Sequence, residues 1–409
     1  MEIIYECACG LDVHKDVIVA CMIKRGQRVT RSYGSMTGDI TELCSWLRLE
    51  HCKMTAMEST GVYWKPIYNL FEAQGLPIIV VNAQHMKAVP GRKTDVKDAE
   101  WIADLTRHGL LKASYIPAKS QRELREAVRY RKSLIEARSR EFNRIQMVLE
   151  GANIKLGSVV TDISGVTASE IIDDLIDGKT DPISLAGKAR GALKKKLDRL
   201  IPSLYGMIGD HQRLILKTMR EHVKTLDSLV ARLDGEIAQR MYGDNELIER
   251  IAEIPGVGAR SAQVILAEIG TNMDVFPTVH HLASWAGICP GNYLSAGKKK
   301  SSRTRKSNKI LKSTLAQCAK SASHARKGSY LASQYKKIAA RRGGNRATLA
   351  VAHSILSIIY YMIVRGTRYQ DLGANYFDER KQREVVERSV RRLKALGYNV
   401  MVSPVPAVV

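Results

Sequence analysis

The first third of the chain is patterned for strands and helices in alternation. From Ile3 to Leu11 apolar and polar positions alternate until the chain meets Asp12, Asp16 to Lys24 (DVIVACMIK) is a β-branched apolar run, and Gln27 to Tyr33 has strand composition. These three segments predict a meander. Asp39 stands as a cap before ITELCSWLRLEHC, a helical stretch ending near Lys53. MTAME then predicts a buried strand, YWKPIYNLFEAQG a helix closed by Gly75, and LPIIVVN another strand, followed by a helix from about Asp95. The order βββαβαβ with a closing helix matches a ribonuclease H-like fold, a mixed α/β sheet with helices on both faces. A topology does not by itself assign an activity.

The periodicity then changes from two to three and four. Gln121 to Glu150 holds no Gly or Pro and carries Leu124, Val128, Arg131, Ile135, Arg138, Phe142, Ile145 and Leu149 at heptad steps, with Arg at two seam positions. A second seam runs through Leu216, Met219, Val223, Leu226, Val230, Leu233 and Ile237. Two long helices with such seams can pair antiparallel within one chain, as a bundle core, or zip between chains as a coiled coil. Residues 151 to 190, rich in Gly, Asp, Ser and Thr, predict loops and a short helix. Beyond Asn245, Leu247 to Gly270 predicts helix, tight turn, helix; Pro277 to Gly287 a short helix; Gly291 to Asn308 a basic loop; and Lys309 to Tyr361 further helices. A charged amphipathic helix from Phe377 to Leu396 and a loose SPVPAVV tail end the chain. The expected organisation is a catalytic α/β domain at 1–115, a coiled-coil connector at 116–245 with an insertion at about 151–190, an all-α domain at 246–373 and a helical tail at 374–409.

Charge divides along the same lines. The 409 residues carry 64 Lys and Arg against 41 Asp and Glu, a formal charge of +23. Residues 1–113 hold 14 basic and 13 acidic residues, so almost all the excess lies beyond them. A nearly neutral body joined to a basic remainder favours a polyanionic partner for the remainder. The seven cysteines are odd in number and form no CxxC pair, which predicts reduced thiols in a cytoplasmic protein. No basic leader precedes an apolar run, and no uninterrupted apolar segment reaches the roughly 18 residues of a membrane span, so secretion and membrane insertion are disfavoured.

Three places can carry chemistry. Asp12 follows a strand, Glu58 ends another, and Asp95 and Asp98 stand three apart in KTDVKDAEWIADL, on one face of a helix. Carboxylates brought that close repel unless a divalent ion lies between them, and Mg²⁺ takes such hard oxygen ligands, with phosphates and waters completing its shell. Each acid alone can equally be a cap or a turn, and Asp16, Glu100 and Asp104 compete on spacing. The second place is IAEIPGVGARSAQVILAEIG, similar to a helix-hairpin-helix, where Gly256 and Gly258 permit a tight turn and free amides can hold a phosphate; plain helix punctuation is the alternative. The third is PGNYLSAGKKKSSRTRKSNKILK, with Lys298, Lys299, Lys300, Arg303, Arg305, Lys306, Lys309 and Lys312 and no acid from Gly297 to Lys312. That stretch suits phosphate contacts. Ser295 beside it is a candidate nucleophile, although loop serines are commonly just solvated. His280 and His281 offer no obvious base.

GLDVHKD, MESTGVYWKPIYNL, VVNAQHMKAVPGRKTDVKDAEWIADLTRHGLL, IPGVG and GICPGNYLSAGKKKSSRTRKSNKILK occur in this order. Together they resemble the DEDD transposases of the insertion sequence 110 family over nearly the whole chain. The resemblance implies a RuvC-like ribonuclease H-fold domain, a coiled-coil connector and a C-terminal transposase domain. It implies further that Asp12, Glu58, Asp95 and Asp98 hold Mg²⁺ and that Ser295, with Ser301 and Ser302 in reserve, attacks DNA to form a transient phosphoserine link. Donor and target DNA, a structured element-encoded guide (bridge) RNA, and homodimers joined into tetramers are the implied partners, in a cytoplasmic, nucleoid-associated setting. A junction-resolving nuclease of the same fold, using water as nucleophile, is the competing expectation. The 151–190 insertion and the tail after Gly373 find no assignment.

Overall fold

The computed structural model describes residues 2–82, 98–289, 293–295, 298–301, 307–325, 328–379 and 382–402; for 293–301, Asp378 and 383–385 it describes the backbone alone. The chain divides into two compact units, Met1–Pro117 and Ala118–Val409.

In the first unit the three-stranded meander forms, with its first strand displaced from the expected Ile3–Leu11 so that Asp12 lies inside it, paired with Val19: β1 (Cys7–Val13), β2 (Val17–Lys24) and β3 (Gln27–Gly34) pair antiparallel. Helix α1 (Thr37–Leu49) leads to β4 (Met54–Glu58), and α2 (Trp64–Ala73) to β5 (Ile78–Val81). Strands β4 and β5 add parallel to β1, giving a five-stranded mixed sheet in the order β3-β2-β1-β4-β5. Ala113 and Ser114 hydrogen-bond back to β5, which covers part of that edge. Helix α1 starts at Thr37, three residues before the Ile40 start expected from an Asp39 cap; the Asp39 carboxylate instead accepts from the Met36 amide at 3.1 Å from inside the first turn.

Alternation along β1 sorts the side chains onto the two faces of the sheet. Cys7, Cys9, Leu11 and Val13 point to one face, where Ile40, Leu43, Leu47, Ile67 and Phe71 of α1 and α2 complete the core. The opposite face carries Cys21 and Ile23 under Ala99 and Ala103 of helix α3 (Asp98–Arg107). This is an α/β/α sandwich, a mixed α/β unit consistent with a ribonuclease H-like domain. Burial pushes the Cys44 thiol up to about 11 and the Cys52 thiol up to about 12, so these free cysteines stay protonated.

The second unit is built on two long helices, α4 (Lys119–Gly151) and, after an insertion, α8 (Asp210–Arg240). They lie antiparallel within the chain. Ion pairs run in opposite senses along them, Arg131 to Asp234, Arg138 to Asp227 and Arg240 to Glu123, while Leu134, Leu226 and Val230 fill the seam between. The insertion is more ordered than its composition predicts. Helices α5 (Val166–Ile176), α6 (Pro182–Ala186) and α7 (Leu197–Ser203) close a core of their own on the ends of α4 and α8, built from Ile171, Ile172, Leu175, Leu185, Leu200 and Leu204 with Ile145 and Leu149.

Helices α9 (Asn245–Ala252), α10 (Ala259–Ile269) and α11 (Val279–Trp285) follow. Within the segment expected to be a basic loop, β6 (Tyr293–Ser295) and β7 (Lys298–Ser301) pair antiparallel. The rest of the unit is helical: α12 (Lys309–Ser323), α13 (Tyr330–Arg342), α14 (Gly344–Arg365), α15 (Tyr376–Glu379) and α16 (Gln382–Ala395). Among the described residues α14 is the one helix long and apolar enough to cross a membrane, and half of that stretch is buried in this unit, with Val351, Ala352, Ile355, Leu356 and Ile359 in its core.

Candidate active site and nucleic-acid interface

Backbone pairing brings the strand-end acids of the first unit together. The parallel register of β1 and β4 runs to Leu11 opposite Met57, so Asp12 and Glu58, one residue farther on each strand, stand side by side. Both fall on the face that carries Gly10 and Ala56, because side chains alternate and paired residues share a face. Helix α3 lies on this face. Its C-terminal Arg107 carbonyl accepts the Ile4 and Tyr5 amides at 3.0 and 3.1 Å, just before β1 begins, so the helix runs antiparallel to the strand. Asp98, at the other end of α3, therefore sits at the end of β1 that carries Asp12.

Gly10 sets how closely the helix can lie. A Cβ there would come within 2.3 Å of the Ala99 carbonyl oxygen and the Ala103 amide nitrogen. The lack of a side chain on β1 and small residues on α3 are one packing solution, and it brings Asp98 down to the sheet.

The Asp12 carboxylate accepts from His14 Nε2 at 3.1 Å, a contact the sequence reading did not anticipate although both lie in GLDVHKD. Of the competing acids, Glu100 turns to Arg28 of β3 at 3.4 Å, Asp104 is 3.8 Å from His108 just past the end of its own helix, and Asp16 is exposed in the β1–β2 turn. Asp95 lies outside the described residues. Among the described residues no three potential ligands are grouped tightly enough to hold an ion. Asp12, Glu58 and Asp98 nevertheless share one face and one end, and their all-carboxylate chemistry fits a hard divalent cation such as Mg²⁺.

In the second unit the PGVG turn divides its two glycines between different tasks. Gly256 has φ +86°, and a Cβ on it would meet the backbone of α12 at Cys318 and Ala322 within 2.4 Å, so this residue serves helix packing. Gly258 caps α10 in extended geometry with open space around it, and Ala259 and Arg260 beside it are exposed. An exposed first turn with free amides can take a phosphate. Arg260 itself is held by Asp234 at 2.5 Å.

Helix α10 ends in a feature that sequence reasoning missed. Glu268 is fully buried and accepts two bonds of 2.7 Å from Arg129 and one of 2.6 Å from Asn308, while Arg125 bonds its backbone carbonyl. Asn308 in turn caps α12 through the Leu311 amide, and Ser307 bonds the Ala286 carbonyl at 2.9 Å. The end of the basic segment is thus tied to α4, α10 and α11 through a buried charge and its neighbours. An acid inside the apolar run QVILAEIG was the available signal. Ser295 pairs in register with Lys298, and Leu294 with Lys299; Lys300 lies on β7 as well. Arg303, Arg305 and Lys306 lie outside the described residues, and Lys309 is exposed at the start of α12.

Comparison with known proteins gives the family of the chain. The IS110 DEDD transposase model matches residues 9–154, and the model of the transposase IS116/IS110/IS902 family matches residues 248–336. The chain belongs to the IS110 family of transposases. It is 23% identical over 365 residues to the transposase for insertion sequence element IS1111A of Coxiella burnetii, covering 88% of this chain and 90% of that protein. It is also 23% identical over 369 residues to a probable family 20 transposase of Pseudomonas aeruginosa, covering 88% and 94%. An insertion element IS110 protein of Streptomyces coelicolor shares 27% over 306 residues, covering 69% and 73%. The transposase is thus an enzyme acting on DNA, and its DEDD family points to a divalent metal cofactor. The first match contains Asp12, Glu58, Asp95 and Asp98; the second contains the PGVG turn, Glu268, Ser295 and the basic segment.

Proposed function

We propose that this transposase cleaves and rejoins DNA strands with two sets of groups, the carboxylates of the first unit and Ser295 of the second. Asp12, Glu58 and Asp98, with Asp95, would hold Mg²⁺. Bound there, the cation supplies Lewis-acid stabilisation of the charge that builds up on a scissile phosphate. His14 orients the Asp12 carboxylate through the 3.1 Å contact. The Ser295 oxygen bonds to phosphorus as the bond to one ester oxygen of the strand breaks, and that oxygen leaves as a strand-end hydroxyl with the proton the serine gives up. In rejoining, a strand-end hydroxyl attacks the phosphoserine and returns Ser295 to its hydroxyl form, while Lys298, Lys299, Lys300, Arg303, Arg305, Lys306 and Lys309 steady the phosphate charge and position the strand. Gly258 and the first turn of α10 act as a helix-hairpin-helix phosphate contact, with Gly256 providing the packing that makes the turn.

The same reading assigns residues 1–115 to catalysis, 116–245 to a coiled-coil connector, 246–373 to the C-terminal transposase domain and 374–409 to a helical tail. It takes a structured element-encoded RNA as the guide, carried with donor and target DNA on the basic part of the chain. Homodimers that join into tetramers let the acids of one copy meet the serine of another.

The observation that carries the proposal is the placement of Asp12 and Glu58 on neighbouring parallel strands, with α3 delivering Asp98 to the same end. The test compares strand cleavage in Mg²⁺ by the wild type, Asp12→Asn and Glu58→Gln. Both variants should bind nucleic acid normally and lose cleavage by at least about a hundredfold, the scale of removing one group that stabilises transition-state charge. Cleavage at the wild-type rate by either variant removes that carboxylate from the reaction.

A further inference from the structure

A second site of different chemistry lies in the Ala118–Val409 unit, away from the PGVG turn and the basic segment in sequence. A cavity of about 410 Å³ opens between α14 and the segment Thr367–Leu372, with Tyr330, Tyr361, Tyr369, Ser357, Thr367 and Gln370 in its lining. Tyrosines are not scattered evenly here: Tyr330, Tyr360, Tyr361, Tyr369 and Tyr376 all belong to this corner, and Phe377 stacks on Tyr330 with centroids 5.1 Å apart.

The wall of the cavity is built in advance. Asp371 accepts the Tyr330 amide at 3.0 Å, the Gly373 amide at 2.7 Å and the Tyr369 hydroxyl at 2.9 Å. Arg250 holds the Gly366 carbonyl at 2.8 Å, and Arg368 pairs with Glu253 at 2.9 Å. The segment is thereby pinned at both ends across α14. Glu253 and Asp371, the acids bonded to this segment, are already engaged by cations or donors. Tyr361 is 41% exposed, with the Arg365 guanidinium 4.6 Å from its ring centroid. The Thr367 and Gln370 side chains are exposed and make no side-chain hydrogen bond among the described residues.

The ligand that matches is flat, has an apolar face and a polar edge, and is joined to an anion. We propose that this cavity takes one unpaired nucleobase of a single strand: Tyr361 supplies as stacking surface the ring face that Arg365 does not cover, Thr367 and Gln370 face the edge, and the exposed Arg365 lies toward the phosphate. The volume falls in the lower part of the range for single small-molecule sites, enough for one nucleotide and too small for a base pair within a duplex. Stacking on an aromatic ring is tolerant of base identity, so the site would hold a strand in place without reading it. The proposal rests on the reading that the protein handles nucleic acid strands during its reaction.

The test uses the full chain and two kinds of single strand, DNA and RNA, each with and without an abasic residue series in place of its bases. The wild type should bind the base-bearing strand more tightly than the abasic one. Tyr361→Ala should reduce that preference by about tenfold, the effect of losing one base–aromatic stack, while Tyr361→Phe keeps it. A preference on DNA alone or RNA alone identifies which strand is the source. The wild-type preference in Tyr361→Ala, or equal loss in Tyr361→Phe, overturns the stacking site and leaves the nucleic-acid reading standing. A wild type that binds neither strand overturns both.

Discussion

Gly10 is the position at which one hydrogen atom in place of a methyl group decides the geometry of the carboxylate site. The Cβ of Gly10→Ala would press on the backbone of α3 at 2.3 Å, and no rotamer change can relieve it. The substitution should cost about 1–3 kcal/mol in a denaturant titration and reduce cleavage by more than that loss of folded protein accounts for, because α3 carries Asp98. His353 gives a second residue-scale expectation. Burial, with His280 nearby, holds its pKa below the usual imidazole value. The unfolded chain takes up this proton at about pH 6.5 while the folded chain resists it, so stability is complete above that pH and declines as pH falls below it. Urea midpoints at about pH 7.5 and 5.5 should show a smaller drop for His353→Gln than for the wild type. Asp12 and Glu58 were legible in the sequence because strand patterns end on them. Their contacts were not, since nothing in GLDVHKD says that His14 folds back onto Asp12. Glu268 was only faintly legible: an acid in the apolar run QVILAEIG hints at burial, but its role needs Arg129, 139 residues away, and Asn308, 40 residues away.

At the level of elements, ion pairs and close backbone packing determine how the helices of the second unit hold together. Removing the buried Glu268 carboxylate takes the acceptor from Asn308 and from Arg129, whose side chain is partly exposed. Glu268→Ala should therefore lose about 1–3 kcal/mol, measured by thermal or urea unfolding, and Arg129→Ala, which strands the buried carboxylate, should give a loss of the same sign. Gly256→Ala combines a positive φ with a collision at α12 and should destabilise the same unit by chemical denaturation. The elements that sequence reading located well are those with long, uninterrupted periodicity: the meander at Cys7–Gly34 and the helices Lys119–Gly151 and Asp210–Arg240. The insertion was poorly legible because its helices are short. Ile171, Leu175, Leu185 and Leu200 belong to one core but are divided by Gly178 and Gly187, so no single window carries enough apolar residues to show the period. The basic segment failed as a loop for a related reason: lysines at 298–300 mask a strand pairing whose signal lies in Tyr293 and Leu294.

Over the whole molecule, the formal charge of +23 couples function to salt. A complex that neutralises about six phosphates should weaken by about a thousandfold between roughly 50 and 200 mM salt, and a log–log plot of affinity against salt gives the number of contacts directly. A flat plot would mean that the basic surface makes few phosphate contacts. The fold order of the first unit followed from patterning, whereas the choice of its four acids over their neighbours, the guide RNA and the serine chemistry rest on family likeness, because composition gives a preference for polyanions and no more. The account depends above all on a hydroxyl, rather than water, attacking the DNA. The direct measurement is a stalled reaction on end-labelled DNA, denatured, resolved on a gel and mapped by mass spectrometry. The expected result is label that migrates with the protein, an adduct at Ser295, and no adduct in Ser295→Ala; cleaved DNA with no label on the protein would contradict it and favour a junction-resolving nuclease that uses water.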